Sequence, residues 1–225
     1  MLTKLTLSSE RLIGLFLFAS DTYVLAPLNA KAREVKDVET TLNVKAIKAK
    51  IYNSSFFGLF CVGNSKKLLI SDVVSSDELQ DIKNKLKSIE ISVFKSKNNA
   101  IGNLVLVNDK GLVVDSSLSE KEVDDIEKFF EMRALILKTK KDILIGSEAV
   151  ATNKATFVSR NFSESERAKL EKALGVPVFE VSANFGQTAL HSGLVANSNG
   201  ILVSYQTSAP ELTMLHQIEH SYSED

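Results

Sequence analysis

The chain of 225 residues carries 27 Lys and Arg against 28 Asp and Glu, a formal net charge of −1, with 44% hydrophobic residues, one cysteine and no tryptophan. This balance excludes a general nucleic-acid binder held by phosphate contacts alone, and the lone Cys61 excludes an internal disulfide or a cysteine-built metal site. No apolar run approaches the roughly 18 residues that cross a bilayer, and no long apolar segment follows Met1-Leu2-Thr3-Lys4, so we expect a cytoplasmic protein with no membrane association.

Residues 2–7 read as a short strand ahead of the first full unit. An apolar run over 13–19 then passes through the turn Ser20-Asp21-Thr22 into a second run over 23–26. A helix follows near 31–42, with Asn29 as its expected cap, and a strand over 44–50 completes the unit. The second unit turns at Asn64-Ser65-Lys66-Lys67 and predicts a helix over 76–89 and a strand over 90–95.

The third unit is the cleanest. A strand over 100–107 meets the turn Asn108-Asp109-Lys110-Gly111, and Leu112-Val113-Val114 completes a hairpin. Ser119-Glu120-Lys121-Glu122 is a capping box, in which the serine and the glutamate three residues on satisfy free N–H groups at a helix start. Leu135-Ile136-Leu137 reads as the third strand. The fourth unit turns at Thr152-Asn153-Lys154 and ends its helix at Leu174-Gly175, where glycine takes the left-handed conformation; its third strand is expected over 178–181. The fifth turns at Asn197-Ser198-Asn199-Gly200 and forms a helix over 210–220. Only the polar end Ser221-Tyr222-Ser223-Glu224-Asp225 follows, and it is expected to be mobile.

These units are copies. At a period of about 44 residues, Gly14, Gly58, Gly102 and Gly146 recur, with His191 as the break in that column. Glu34, Glu78, Glu122, Glu166 and Glu211 form a second column, preceded by Lys31, Ser75, Ser119, Ser163 and Ser208. A third consists of Val38, Ile82, Ile126, Leu170 and Leu215. The expectation is one α+β domain over 1–225 of five strand–strand–helix–strand units, roughly 8–50, 51–95, 96–140, 141–183 and 184–225. The fifth unit lacks a third strand and the N-terminal strand 2–7 is spare, so the repeats close into a ring through it. A WD-type propeller has a similar period, but its units have four strands and a Trp-Asp signature that this chain lacks.

Four blocks carry a family resemblance: Phe57-Gly58-Leu59-Phe60-Cys61-Val62-Gly63-Asn64, Ser96-Lys97-Asn98-Asn99-Ala100-Ile101-Gly102-Asn103, Gly193-Leu194-Val195-Ala196-Asn197-Ser198-Asn199-Gly200 and Thr207-Ser208-Ala209-Pro210-Glu211-Leu212. In this order and spacing the chain resembles the archaeal translation initiation factor 6 family over essentially its whole length. It departs at His191, where that family tends to have glycine, and at Tyr205-Gln206, which replace a small or acidic pair. The resemblance implies the pentein fold, a five-fold pseudo-symmetric α/β propeller, and a monomeric ribosome anti-association factor. Such a factor docks on the large ribosomal subunit, at ribosomal proteins and rRNA near the sarcin–ricin loop. It blocks small-subunit joining and takes part in large-subunit maturation, without DNA, metal or cofactor.

Penteins also include guanidine-modifying enzymes, which need a nucleophilic cysteine, a histidine and carboxylates. Here Cys61 lies within the apolar run Phe60-Cys61-Val62 and reads as a small buried thiol. His216 and His220 are two residues, too few for a zinc site, and His191 reads as a packing variant. We therefore expect no catalytic residues.

For binding, Lys48 and Lys50, Lys95 and Lys97, and Lys138 and Lys140 recur near the ends of three third strands. They either form a basic arc suited to rRNA phosphates or guard strand edges. Asn103 and the Tyr205-Gln206-Thr207 stretch are the other candidate contacts. Residues 1–112 carry a charge of +5 and 113–225 carry −6, and the acidic half suits basic ribosomal proteins.

Overall fold

A strand buried on both faces reads as an unbroken apolar run, and the second run of every unit is of that kind. A computed structural model describes residues 1–7, 11–141 and 143–223, with the side chains of Tyr222 and Ser223 outside that description. The acidic end Glu224-Asp225 also lies outside it.

In chain order, β1 (Leu2–Leu5) precedes the first unit, which comprises α1 (Ile13–Phe16), β2 (Phe18–Ala19), β3 (Val24–Pro27), α2 (Ala32–Leu42) and β4 (Ala46–Ala49). The second comprises α3 (Phe57–Phe60), β5 (Cys61–Gly63), β6 (Lys67–Ser71), α4 (Ser76–Lys85) and β7 (Glu90–Phe94). The third opens with a 3-10 turn (Ile101–Asn103), then β8 (Val105–Val107), β9 (Leu112–Asp115), α5 (Glu120–Phe130) and β10 (Ala134–Leu137). The fourth holds β11 (Ala149–Ala151), β12 (Thr156–Val158), α6 (Glu164–Leu174) and β13 (Val178–Glu180). The fifth holds α7 (Leu190–Gly193), β14 (Leu194–Asn197), β15 (Gly200–Ser204) and α8 (Ala209–Ser223).

The strands make five three-stranded sheets. In each, the middle strand pairs antiparallel with the first and parallel with the third, as in β2-β3-β4. The fifth sheet takes its third strand from the N-terminus: β1 runs parallel to β15 with Leu2 opposite Ile201 and Leu5 opposite Ser204. The ring closes as the spare strand implied.

Alternation along the middle strands explains how neighbouring units hold together. Val24 and Ala26 of β3 pack with Leu202 and Val195 of the fifth unit, whereas Tyr23 and Leu25 pack with Leu68 and Ile70 of the second. The same division recurs at β6, β9, β12 and β15. Each of the five cores therefore sits at a seam between units.

Two local expectations change. The first apolar run of a unit is a strand only in its second half; around Gly14, Gly58 and Gly102 the chain makes a single helical turn. A run buried on all sides has no periodicity to distinguish the two states. Asn29 does not cap α2; Lys31 stands at the N-cap, and Glu34 accepts its N–H at 2.8 Å. A lysine side chain has no acceptor, so only the glutamate half of the capping box forms there.

The column glycines stack around the ring. A Cβ on Gly58 would lie 1.8 Å from the Gly14 carbonyl oxygen, one on Gly102 2.0 Å from that of Gly58, and one on Gly146 2.2 Å from that of Gly102. A Cβ on Gly14 would strike the His191 carbonyl at 1.6 Å. His191 itself, the one column position with a side chain, turns its imidazole Nδ1 to the Gly146 carbonyl at 3.0 Å.

The column glutamates pin the linkers between units. Glu78 accepts the N–H groups of Ser75, Tyr52 and Asn53; Glu166 those of Ser163 and Lys140; Glu211 those of Ser208, Phe185 and Gly186. Glu122 accepts from the Ser119 N–H and the Ser96 hydroxyl. Burial pushes these four carboxyls up, and the converging N–H and hydroxyl donors outweigh it, leaving each below the usual glutamate range.

Three outcomes follow. Gly58→Ala should cost about 3 kcal/mol or more in urea unfolding, because backbone on both sides of the gap must move. Removing residues 1–8 should lower the unfolding midpoint of the whole ring in one transition; an unchanged midpoint would contradict closure through β1. Because the four carboxyls are lowered, their stabilisation is complete above the ordinary glutamate pKa and is lost as pH falls through the lowered value. Glu166→Gln should lower the unfolding free energy at pH 7 by about 1–2 kcal/mol and flatten the acid limb of the stability curve.

Candidate interaction face

Sheet topology sorts the loops onto two faces. The C-terminal ends of the middle and third strands and the start of the first strand share one side. There lie the column glycines, the N-termini of the long helices and the linkers between units. The hairpin turns and the C-termini of the long helices occupy the other side.

The turn face is closed by its own polar groups. The Asn108 amide donates to the carbonyls of Thr152 and Leu174, both at 2.9 Å, and the Asn197 amide to those of Ser20 (3.0 Å) and Leu42 (2.8 Å). Each side chain joins its hairpin turn to the turn and helix end of the next unit. Asn153 Nδ2 lies 2.7 Å from a carboxylate oxygen of both Asp21 and Asp109, and Asp21 also accepts the Ser198 N–H and hydroxyl, each at 2.7 Å. The turn residues were visible in the sequence, but their reach across seams was not. The clue was their recurrence as Ser20, Asn64, Asn108, Thr152 and Asn197.

The glycine face carries the candidate contacts. Lys50, Lys95 and Lys138 each directly follow the last paired residue of a third strand, so they occupy one equivalent position and are exposed. Lys97 and Lys140 sit two residues beyond, also exposed. Lys48 is set apart: it lies within β4, half-buried, and its ammonium donates to the Ala30 carbonyl at 2.7 Å. Asn103 follows the column glycine of the third unit; its carbonyl accepts the Gly146 N–H at 2.8 Å, while among the described residues its side-chain amide makes no hydrogen bond. Tyr205 is 67% exposed with the Lys4 ammonium 5.4 Å from its ring centre, and Gln206 is half-buried. Thr207 is 1% exposed, and its hydroxyl accepts the Asn184 N–H at 3.4 Å. Its side chain is therefore a loop fastener with no surface to offer a partner.

Two linkers add aromatic rings that sequence reasoning did not single out. Tyr52 and Asn53 (φ 52 and 50) and Phe185 and Gly186 (φ 58 and 76) are left-handed, which aims successive N–H groups at Glu78 and Glu211. That conformation costs a non-glycine residue about 1–2 kcal/mol and throws Tyr52 and Phe185 outward, 63% and 76% exposed.

The central channel is narrow. Its main cavity, about 70 Å³, is lined by Leu17, Cys61, Val62, Val105, His191 and Val195 among others, well short of the several hundred Å³ of a typical small-molecule pocket. Cys61 is 2% exposed, and burial pushes its thiol well above its ordinary value, so at neutral pH it is a packed thiol. Burial pulls the His191 imidazole below its ordinary value, partly offset by the bond to Gly146. His216 and His220 stack with ring centroids 4.5 Å apart. Among the described residues no group of three or more His, Cys, Asp or Glu is placed to hold a metal ion.

Among solved structures, the chain is similar to a DDAH mutant of Pseudomonas aeruginosa complexed with citrulline, with a TM-score of 0.50 over 75% of this chain and 68% of that one. At 10% identity this likeness concerns the fold, the pentein ring. The chain is 34% identical over 74 residues to translation initiation factor 6 of Methanococcus vannielii, covering 33% of each protein. It is 41% identical over 49 residues to that of Sulfurisphaera tokodaii, covering 22% of each. The aligned stretch thus spans a third or less of these curated relatives. The pattern of the eIF-6 family, by contrast, matches residues 2–218. With the five-sheet ring beneath it, that match shows that the chain belongs to the eIF-6 family.

Proposed function

We propose that this protein binds the large ribosomal subunit at its joining surface and sterically keeps the small subunit from docking, and that it accompanies large-subunit maturation. The observation that carries this reading is membership of the eIF-6 family along residues 2–218. The mechanism needs no bond chemistry, since two bodies cannot occupy one interface. It suits a ring whose channel is too small for a substrate and whose one cysteine is packed away. The protein acts in the cytoplasm as a monomer; among the described residues no helix is long and apolar enough to cross a membrane.

We assign docking to the glycine face. Lys50, Lys95, Lys97, Lys138 and Lys140 present ammonium groups to rRNA phosphates near the sarcin–ricin loop, and Asn103 and Tyr205 contact ribosomal proteins beside it. Lys48 and Thr207 support these neighbours from within. The turn face, by contrast, satisfies its own polar groups.

In a sedimentation assay with isolated large and small subunits, the protein should travel with the large subunit and deplete joined ribosomes. Changing Lys95, Lys97, Lys138 and Lys140 together to Glu should weaken binding about tenfold or more and reduce its salt dependence. Changing Lys66 and Lys110 on the turn face should have little effect. The reverse pattern would move docking to the turn face. Absence of comigration, together with turnover of an arginine-like substrate, would sink the factor reading in favour of an enzyme.

A further inference from the structure

Each sheet ends outward in a third strand, and comparing the five copies shows how their open edges are protected. Lys4, Lys48, Val93, Ile136 and Glu180 are equivalent, since their middle-strand partners Val203, Ala26, Ile70, Val114 and Val158 are equivalent. Three are charged, and Val93 is half-buried in a strand that begins with Glu90. Ile136 is 54% exposed in a strand, Ala134-Leu135-Ile136-Leu137, with no charge at all. Among the described residues it is the exposed large hydrophobic that lies within a strand.

Backbone direction makes this edge available. The Ser116 N–H donates to the Leu137 carbonyl at 3.2 Å, so Leu137 and, by alternation, Leu135 face β9, while Ala134 and Ile136 aim their N–H and C=O groups outward. At β4 two of these outward groups are occupied: Glu39 accepts the Ala46 N–H at 2.9 Å, and Lys85 donates to the Lys48 carbonyl at 2.9 Å. At β10 the first guard is present, with Glu127 accepting the Ala134 N–H at 2.8 Å. The second is missing, because the residue of α6 equivalent to Lys85 is Ala173, which has no donor. Among the described residues no hydrogen bond reaches Ile136 from outside its sheet.

We propose that the outer edge of β10 is a docking site that takes an extended acidic segment of a partner protein as an added strand, with an apolar residue on Ile136. Charge selects the occupant. Lys138, Lys140 and Lys141 stand exposed beyond one end of the strand. At the other, Arg133 is paired with Glu127 at 2.8 Å, and Glu131 lies 3.3 Å from Lys67. A second copy pairing antiparallel about Ile136 would set each Arg133 among the partner copy's Lys138 and Lys140, a like-charge contact that disfavours self-association. The site shares Lys138 and Lys140 with the proposed ribosome-docking face, but its readout, exchange at the Ile136 amide with a peptide and no ribosome present, stands or falls apart from subunit binding.

The test is amide hydrogen exchange by NMR on the full chain, with two ten-residue probes, (Glu-Val)5 and (Lys-Val)5, at about 1 mM, a concentration suited to short unanchored strands. (Glu-Val)5 should slow exchange of the Ile136 amide about tenfold, whereas (Lys-Val)5 should leave it unchanged. Ile136→Lys should abolish the effect with a thermal midpoint within about 2 °C of the parent. Changing Lys138 and Lys140 to Glu should transfer the protection to (Lys-Val)5, a result that a mere folding defect does not produce. No slowing with (Glu-Val)5, or equal slowing with both peptides, overturns the proposal. So does protection that rises with protein concentration alone and disappears in Ile136→Lys, which would mean a second copy.

Discussion

Five backbone segments meet around the axis, and four of them, at Gly14, Gly58, Gly102 and Gly146, approach a neighbour so closely that no Cβ fits. Atoms 1.6–2.2 Å from an imagined methyl group cannot be accommodated by a rotamer change, because the opposing atoms are carbonyl oxygens of the next unit. The spacing of the sheets around the axis, and hence the narrowness of the channel, follows from this contact. The fifth position shows which part of the constraint is strict. That position carries the His191 side chain, and its ring meets the Gly146 carbonyl through a hydrogen bond at 3.0 Å. What matters at Gly14 is that the carbonyl of His191 remains free to press against it.

With inter-sheet distance set there, the seams are filled from both sides by alternate residues of the same strand. No unit can keep its core if its neighbour leaves, which explains why the last seam needs β1 as much as the others need their own third strands. The glutamates serve the same end. A capping box needs only one carboxylate oxygen for its N-cap N–H; in units two to five the glutamate also fastens the preceding linker. A residue that reads as a local helix signal is therefore also an inter-unit clamp.

This double use explains what could be read from the sequence. The glycine, glutamate and helix-face columns are visible because the same contact is made at nearly every seam, and the missing strand was visible by subtraction. The short turns before the first strands were not, since an apolar run buried all round carries no period. Nor was the distinction between Lys48 and Lys50, or between Tyr205 and Thr207. The members of each pair are two residues apart, so strand alternation does not separate them. Lys50 lies beyond the end of β4, and Tyr205 and Thr207 beyond that of β15, where the turning backbone decides which side chain is buried. Tyr52 and Phe185 were missed because their exposure comes from a left-handed linker held by a glutamate 26 residues further on.

Pseudo-symmetry also limits where recognition can be encoded. A buried column cannot vary without breaking a seam, so differences between units accumulate on the two outward features the ring leaves free: the linker ends on the glycine face and the outer sheet edges. At the first, lysine occupies one equivalent position in units one to three and Ser182 replaces it in unit four. At the second, charge guards three of five edges and leaves β10 bare. A solvated guard contributes little to stability, so its loss at one edge costs the fold almost nothing while exposing a hydrogen-bonding template. A five-fold scaffold can thus specify different partners around one ring without altering a single core residue.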